Sequence, residues 1–334
     1  MLIEKPYFTF GNYLKERFGC RVHKLAIDAG FTCPNIDGTK GEGGCSYCNN
    51  EGFSYNSRVP VHPISEQIEK GMEFQRGRFK AKKFLAYFQA YTNTFAPIPQ
   101  LKKIYDQILP YEDIVSFAVG TRPDCVSLKT LDLLESYSDR FEVWVEYGLQ
   151  SSHNRTLESI NRCDTYERFI WGMHQASQRK LKICIHVILG LPGESREDML
   201  ITAERIAKLP FHSIKVHLLH VMKNTQMEKE YLEGKFKMFD MDEYARIVCD
   251  FLERIPDDVS VQRLTADAPP NVLVAPQWCL DRKAVYQSIE DEFERRGTRQ
   301  GSLVDANVRD DQSWREPALK LSSIPTIEVS RMAS

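Results

Sequence analysis

Two observations predict an α/β fold with a parallel sheet, open or closed into a barrel. Six short β-rich runs alternate with helix-like segments, and the residues with chemistry to offer gather where those runs end. In a parallel barrel the loops at the C-terminal strand ends carry function. The runs are Lys24–Asp28, Phe84–Gln89, Ile114–Val119, Phe141–Leu149, Leu181–Leu189 and Ser213–Leu219. Helices are expected over Pro63–Arg76, Ile98–Leu109, Ser127–Tyr137, Tyr166–Arg179 and Ser195–Leu209. Leu128, Leu131 and Leu134 recur at helical spacing, as do Met199, Ala203 and Ile206. After Leu219 the pattern changes to a helix over Met241–Ile255, a short strand over Val259–Leu264 and a charged helix over Asp281–Arg296. The expected organisation is a barrel with its N-terminal extension over 1–220, an extension packed on it over 221–301, and a loosely held tail over 302–334.

Composition excludes several classes. With 44 basic and 46 acidic side chains the net charge is −2, so the chain is no histone-like polycation. No apolar run approaches the ~18–20 residues of a membrane span. Glu4 and Lys5 stand where a secretory signal would begin its apolar stretch. A cytoplasmic protein is expected. Its nine cysteines then read as core thiols, metal ligands or catalytic groups and not as a disulfide framework.

Three of those cysteines follow the first strand. The loop from Gly30 to Cys48 places Cys33, Cys45 and Cys48 in a C-x11-C-x2-C pattern. The last pair can occupy adjacent corners of one metal centre, and the glycines at 38, 41, 43 and 44 permit tight turns around it. Three thiolates on an iron–sulfur cluster would leave one iron open. A four-thiolate zinc site using Cys20 is the alternative, and spacing alone leaves both open.

Later strand ends add polar groups. Gln89 and Asn93 lie in a row of hydrogen-bonding side chains, suited to a ligand's amine and carboxylate or to a polar turn. Arg122 precedes Asp124, so it could clamp a carboxylate or brace its own turn. Alternation puts Glu146, Gly148 and Gln150 on one face of strand four, where polar groups need partners. Gly190, Pro192 and Gly193 form a turn that brings bare backbone close to something flat, such as a nucleobase.

Together these segments resemble the radical S-adenosylmethionine (SAM) superfamily, and within it the YhcC/YtqA-like group, related to the radical domain of the Elongator catalytic subunit. The carrying residues are Gly30-Phe-Thr-Cys33-Pro-Asn, Gly43-Gly-Cys45-Ser-Tyr-Cys48-Asn, Gly120-Thr-Arg-Pro-Asp124, Gly148-Leu-Gln-Ser, Gly190-Leu-Pro-Gly-Glu, Ala275-Pro-Gln-Trp278 and Gln300-Gly301. The likeness runs from about Phe8 to Gly301. The wide cysteine spacing departs from the C-x3-C-x2-C of most members, and the glycine-rich motif that often ends strand two is replaced by Gln89–Asn93.

The resemblance implies a partial parallel (β/α)6 TIM-like barrel with a small C-terminal α/β extension. It implies a 4Fe–4S cluster on Cys33, Cys45 and Cys48, with SAM bound at the open iron. SAM would be oriented by Gln89, Asn93, Arg122, Glu146 and Gln150 and flanked at its adenine by Gly190, Pro192 and Gly193. An electron from a reduced flavodoxin- or ferredoxin-type partner would cleave SAM to methionine and a 5′-deoxyadenosyl radical. The group also points to side chains on the wobble uridine of tRNA, in the carboxymethylaminomethyl or aminomethyl branch. Five basic residues between Arg76 and Lys83 could grip RNA phosphates or form an ordinary solvated helix end. A small metabolite or peptide substrate, or a zinc adaptor without catalysis, remain the competing readings.

Overall fold

The computed structural model describes residues 5–49, 62–266 and 268–316. In chain order the elements through the sheet are α1 (Phe10–Phe18), β1 (Val22–Ile27), α2 (Ile64–Phe79), β2 (Lys83–Phe88), α3 (Ile98–Tyr105), β3 (Ile114–Thr121), α4 (Leu128–Glu135), β4 (Glu142–Gln150), α5 (Asn154–Ser159), α6 (Tyr166–Ser177), β5 (Lys182–Leu189), α7 (Arg196–Ala207) and β6 (Ser213–Leu218). They are followed by β7 (Val221–Met222), α8 (Gln226–Leu232), α9 (Met241–Leu252), β8 (Ser260–Arg263), β9 (Leu273–Ala275) and α10 (Arg282–Arg296).

Seven strands form one parallel sheet in the order β1-β2-β3-β4-β5-β6-β8, curled into a half-barrel with helices around it. The six expected strands are all present. The seventh, β8, comes from the segment expected beyond the barrel, and it extends the sheet beside β6. β7 and β9 make a separate antiparallel pair. The short helices α1, α5 and α8 were not expected. Thr9 caps α1, its side chain accepting from Asn12 N, and Gly19 ends it in a left-handed conformation at φ 71°.

Outward residues such as Phe84, Phe88, Phe117, Val145 and Ile185 are buried in the main core with the surrounding helices. Inward residues change character along the barrel axis. At the N-terminal strand ends, Phe10 and Leu14 of α1 pack with Val22, Leu85, Trp144 and Cys184. Phe10 and Tyr13 meet the Trp144 ring edge-on at 5.3 and 5.6 Å. Above this apolar plug come Lys24, Tyr87, Glu146, His186 and Lys215, and above those the cysteine loop.

The two sheet edges are joined at their N-terminal ends. Val261 N donates to Phe8 O at 2.7 Å, and Lys24 Nζ donates to Gln262 Oε1 at 3.3 Å. Buried Gln300 completes the seam: its Nε2 donates to Pro256 O and Val259 O, and its Oε1 accepts from Phe8 N. Beyond it, buried Trp314 lies 6.0 Å from the His174 ring, and Lys208 pairs with Asp311 at 2.7 Å. Residues 317–334 of the expected tail lie outside the described residues.

Trp144 is fully buried. Trp144→Ala should lower stability by about 3–5 kcal/mol, through lost burial and the cavity left behind. Urea unfolding of the apoprotein measures this.

Candidate active site

The cysteine loop leaves β1 with little regular structure, so its shape depends on side chains and turns. Ile36 N and Asp37 N donate to Cys33 O, and Cys48 N donates to Cys45 O at 2.9 Å. Gly43 and Gly44 adopt φ 76° and 77°, a region that a side chain disfavours. Gly41 has no room for a Cβ, which would sit 2.3 Å from Asn35 Oδ1.

A segment after α5 holds the loop from the other side. Asn35 Nδ2 donates to Asn161 O at 2.6 Å, Asn161 Nδ2 donates to Gly44 O at 2.8 Å, and Ser46 N donates to Ile160 O at 3.0 Å. Asn161 and Cys163 have positive φ (49° and 51°), a backbone strain sustained by these contacts. Met227 N of α8 donates to Ser46 O, so the C-terminal part also pins the loop.

Cys33, Cys45 and Cys48 line one cavity of about 250 Å³ at the C-terminal strand ends. No fourth cysteine among the described residues lines it. Cys20 precedes β1 while the three follow it, so six strand residues, roughly 20 Å, stand between them. That separation removes Cys20 as a fourth ligand. Burial opposes the Cys45 thiolate, yet Arg162 and Arg122 outweigh it and lower the thiol's pKa. Cys48 is pushed up to about 12 by burial, with Cys45 and Cys33 adding to the rise. The negative charge that Cys48 would carry beside its two neighbours is what a bound cationic iron centre would neutralise.

Four of the eight residues expected around SAM line the cavity: Gln89, Arg122, Glu146 and Gln150. Gln150 sits at φ 72°, just past a register shift between β4 and β5. Arg122 Nε and Nη2 donate to Asp124 at 2.8 and 2.9 Å, the turn-bracing arrangement, but its buried Nη1 makes no hydrogen bond among the described residues. Burial would raise the Asp124 carboxyl, but Arg122 and Lys40 hold it well below the usual carboxylate range.

Glu146 lies deeper and is engaged. It pairs with Lys215 and accepts from His186 Nε2 at 3.0 Å. The other four do not line the cavity. Asn93 braces the fold, its N and Nδ2 both donating to Gly120 O, while its buried Oδ1 makes no hydrogen bond among the described residues. Gly190 and Gly193 have the positive φ expected of their turn (88° and 82°), and Phe239 packs against Gly190. The Ser151 hydroxyl donates to Glu194, tying the ends of β4 and β5 together.

The cavity floor escaped sequence reading. Among the described residues that line the cavity, Lys24, Lys215 and Arg263 are accompanied by one carboxylate, Glu146. Lys215 Nζ also donates to Tyr87 OH at 3.0 Å, and Lys24 lies 4.4 Å from the Tyr87 ring centroid. Burial, then Lys215, lowers the Lys24 pKa to about 7. Burial likewise lowers His186 to about 4 and His217 well below its ordinary value, so both imidazoles are neutral at pH 7. Alternation along β1 and β6 marks these positions as inward, but only the register shows that they meet.

The basic stretch from Arg76 to Lys83 runs from the last turn of α2 to the first residue of β2, at the barrel end opposite the cysteines. Arg76 pairs with Asp113, and Arg78 stands over Phe74 and Phe79.

A half-barrel of parallel strands with three cysteines at its mouth defines a class of radical enzyme, and comparison with known proteins agrees. The radical SAM superfamily model matches residues 35–206, and a radical SAM C-terminal domain model matches 211–295. The chain belongs to the radical SAM superfamily, in a YhcC-like group related to Elp3. It is 38% identical over 300 residues to YtqA of Bacillus subtilis, covering 90% of this chain and 93% of that protein. With YhcC of Escherichia coli it shares 40% over 283 residues, 84% and 90% of the two chains. The tRNA uridine(34) acetyltransferase of Methanocaldococcus infernus is 27% identical over 164 residues, 48% of this chain and 30% of that one. The structure of Methanocaldococcus infernus Elp3 superposes with a TM-score of 0.62 at 18% identity, covering 84% of this chain and 64% of that one, and supports the fold. The cofactors of a radical SAM enzyme are a 4Fe–4S cluster and SAM. Such enzymes need a reductant. No helix among the described residues is long and apolar enough to cross a membrane.

A Cβ on Gly148 would stand 2.7 Å from Gln150 Nε2 and 3.1 Å from Arg162 Nη2. Gly148→Ala should displace both side chains, weakening SAM binding at least tenfold with iron content unchanged. Anaerobic equilibrium dialysis with labelled SAM, beside an iron assay, tests this.

Proposed function

We propose that Cys33, Cys45 and Cys48 hold the cluster and that the enzyme acts on the side chain of the wobble uridine of a tRNA. The sequence likeness to a tRNA uridine(34) acetyltransferase supports this reading. When bound, the cluster and SAM would supply the radical chemistry that removes a hydrogen atom from the substrate, at the expense of one electron from the reduced donor. The chain's own residues position and shield. Gln89, Gln150 and the free Nη1 of Arg122 would orient SAM, and backbone around Gly190, Pro192 and Gly193 would flank its adenine. Tyr47, Leu219 and Val221 beside the cysteines would keep water from the reacting centre. Asn93 and Glu146 would act at one remove, the first by fixing the strand-two loop and the second by ordering the floor. The same reading calls for a reduced flavodoxin- or ferredoxin-type donor and a cytoplasmic location.

The cationic floor favours a uridine branch ending in an anionic group, such as carboxymethylaminomethyl, over a plain aminomethyl branch. A carboxylate there would meet Lys24 without displacing the Glu146–Lys215 pair. The Arg76–Lys83 stretch lies too far from the cavity to carry the argument. Nucleoside mass spectrometry of bulk tRNA from a deletion strain tests the substrate. A changed wobble uridine, restored by the wild-type gene and not by Cys45→Ala, is expected. Unaltered tRNA would move the reading to a small metabolite or peptide.

The floor also predicts a pH dependence. Lys24 is surrounded by Lys215, Glu146, Arg263, Cys184, Gln262 and Tyr87, and its depressed pKa means that its ammonium is lost as pH rises through about 7. Binding an anion favours the ammonium, so KM should rise above neutral pH while kcat changes less. Lys24→Met should raise KM about tenfold or more and flatten that rise.

A further inference from the structure

We infer that Arg162 sets the reduction potential of the cluster and couples it to the strand that orients SAM. The sequence marks Arg162 only as following strand four. The structure places its guanidinium, nearly inaccessible to solvent, between Cys45 and β4. Nη1 donates to Cys45 Sγ at 3.7 Å, and Nη2 donates to Gly148 O at 2.7 Å. The Arg162 carbonyl accepts from Arg122 Nη2 at 2.8 Å, which locks its backbone. Asn35 Nδ2 gives Cys45 a second donor at 3.6 Å.

Arg162 thus sets a buried cation directly against the sulfur of one cluster ligand, Cys45. Reducing a cluster adds one negative charge in a site of low dielectric. A buried guanidinium and N–H···S bonds stabilise that charge, so they raise the potential and ease electron entry. Arginine suits the place because its planar fork reaches a sulfur and a carbonyl at once, which a lysine ammonium does not. Gly148 makes the approach possible, since a Cβ there would crowd Nη2 at 3.1 Å. The same side chain therefore touches a cluster ligand and the backbone two residues before Gln150.

This inference rests on the three-cysteine cluster and not on the tRNA reading. Its test is an anaerobic redox titration of the reconstituted holoenzyme, following the EPR signal of the reduced cluster, with iron and sulfide counted in the same samples. For Arg162→Met the potential should fall. At a poise where little of the wild-type cluster is reduced, the reduced fraction should drop about tenfold, equivalent to ~59 mV for one electron. Arg162→Lys should fall between the two, since it keeps the charge and loses the fork. Asn35→Ala, which removes the second donor, should shift the same way by less. Unchanged reduced fractions in Arg162→Met and Arg162→Lys with full iron content overturn the inference. If Arg162→Met cannot hold the cluster, unchanged fractions in both Arg162→Lys and Asn35→Ala overturn it. Failure to assemble any iron in the wild-type protein would instead reject the cluster reading.

Discussion

Everything in the active site depends on how an irregular loop is held still. The residues from Gly30 to Cys48 cannot fix three sulfurs through a hydrogen-bonded ladder, because their strand pairing is limited to a single bridge between Asp37 and Glu42. They borrow rigidity from the segment 160–164, where Asn161 and Cys163 hold strained conformations and Arg162 is locked against β4. The Asn35–Asn161 contact joins the two. Each such bond is worth only about 1 kcal/mol net, so the arrangement holds because many share the burden.

A second constraint lies under the cavity. A carboxylate as buried as Glu146 persists in a barrel only with partners, and Lys215 and His186 supply them. The charges around it occupy one level between the plug of α1 and the cysteine loop. That stratification separates the task of folding from the task of binding. Trp144 and Phe10 serve the first, and Lys24 and Gln150 serve the second.

Much of this was legible in the sequence. Alternating β-rich and helical runs gave the six strands, and the strand-end motifs carried the resemblance to the superfamily and marked three cysteines that the structure brings to one cavity. The rest depends on register and crossing distances. Val259–Leu264 reads as a strand, but nothing local says that it joins the edge beside β6. Glu146 reads as a ligand-gripping carboxylate because its inward face is visible and its Lys215 partner, 69 residues away, is not. Arg122 carries both readings at once, since its fork braces Asp124 and leaves one nitrogen over. Arg162 was missed because its partners come from two other parts of the chain.

Gln300 binds the carbonyls of Pro256 and Val259 and also receives the amide of Phe8, so the first and last described parts of the fold meet at one side chain. Synthesis runs from the N-terminus at ~5–20 residues per second, so Phe8 waits for most of the chain to be made before this contact can form. Until then the nascent half-barrel lacks its final clasp. The cysteine loop, made early, also waits for Met227 to pin Ser46. The order of emergence thus leaves the thiols least confined while the ribosome is still at work.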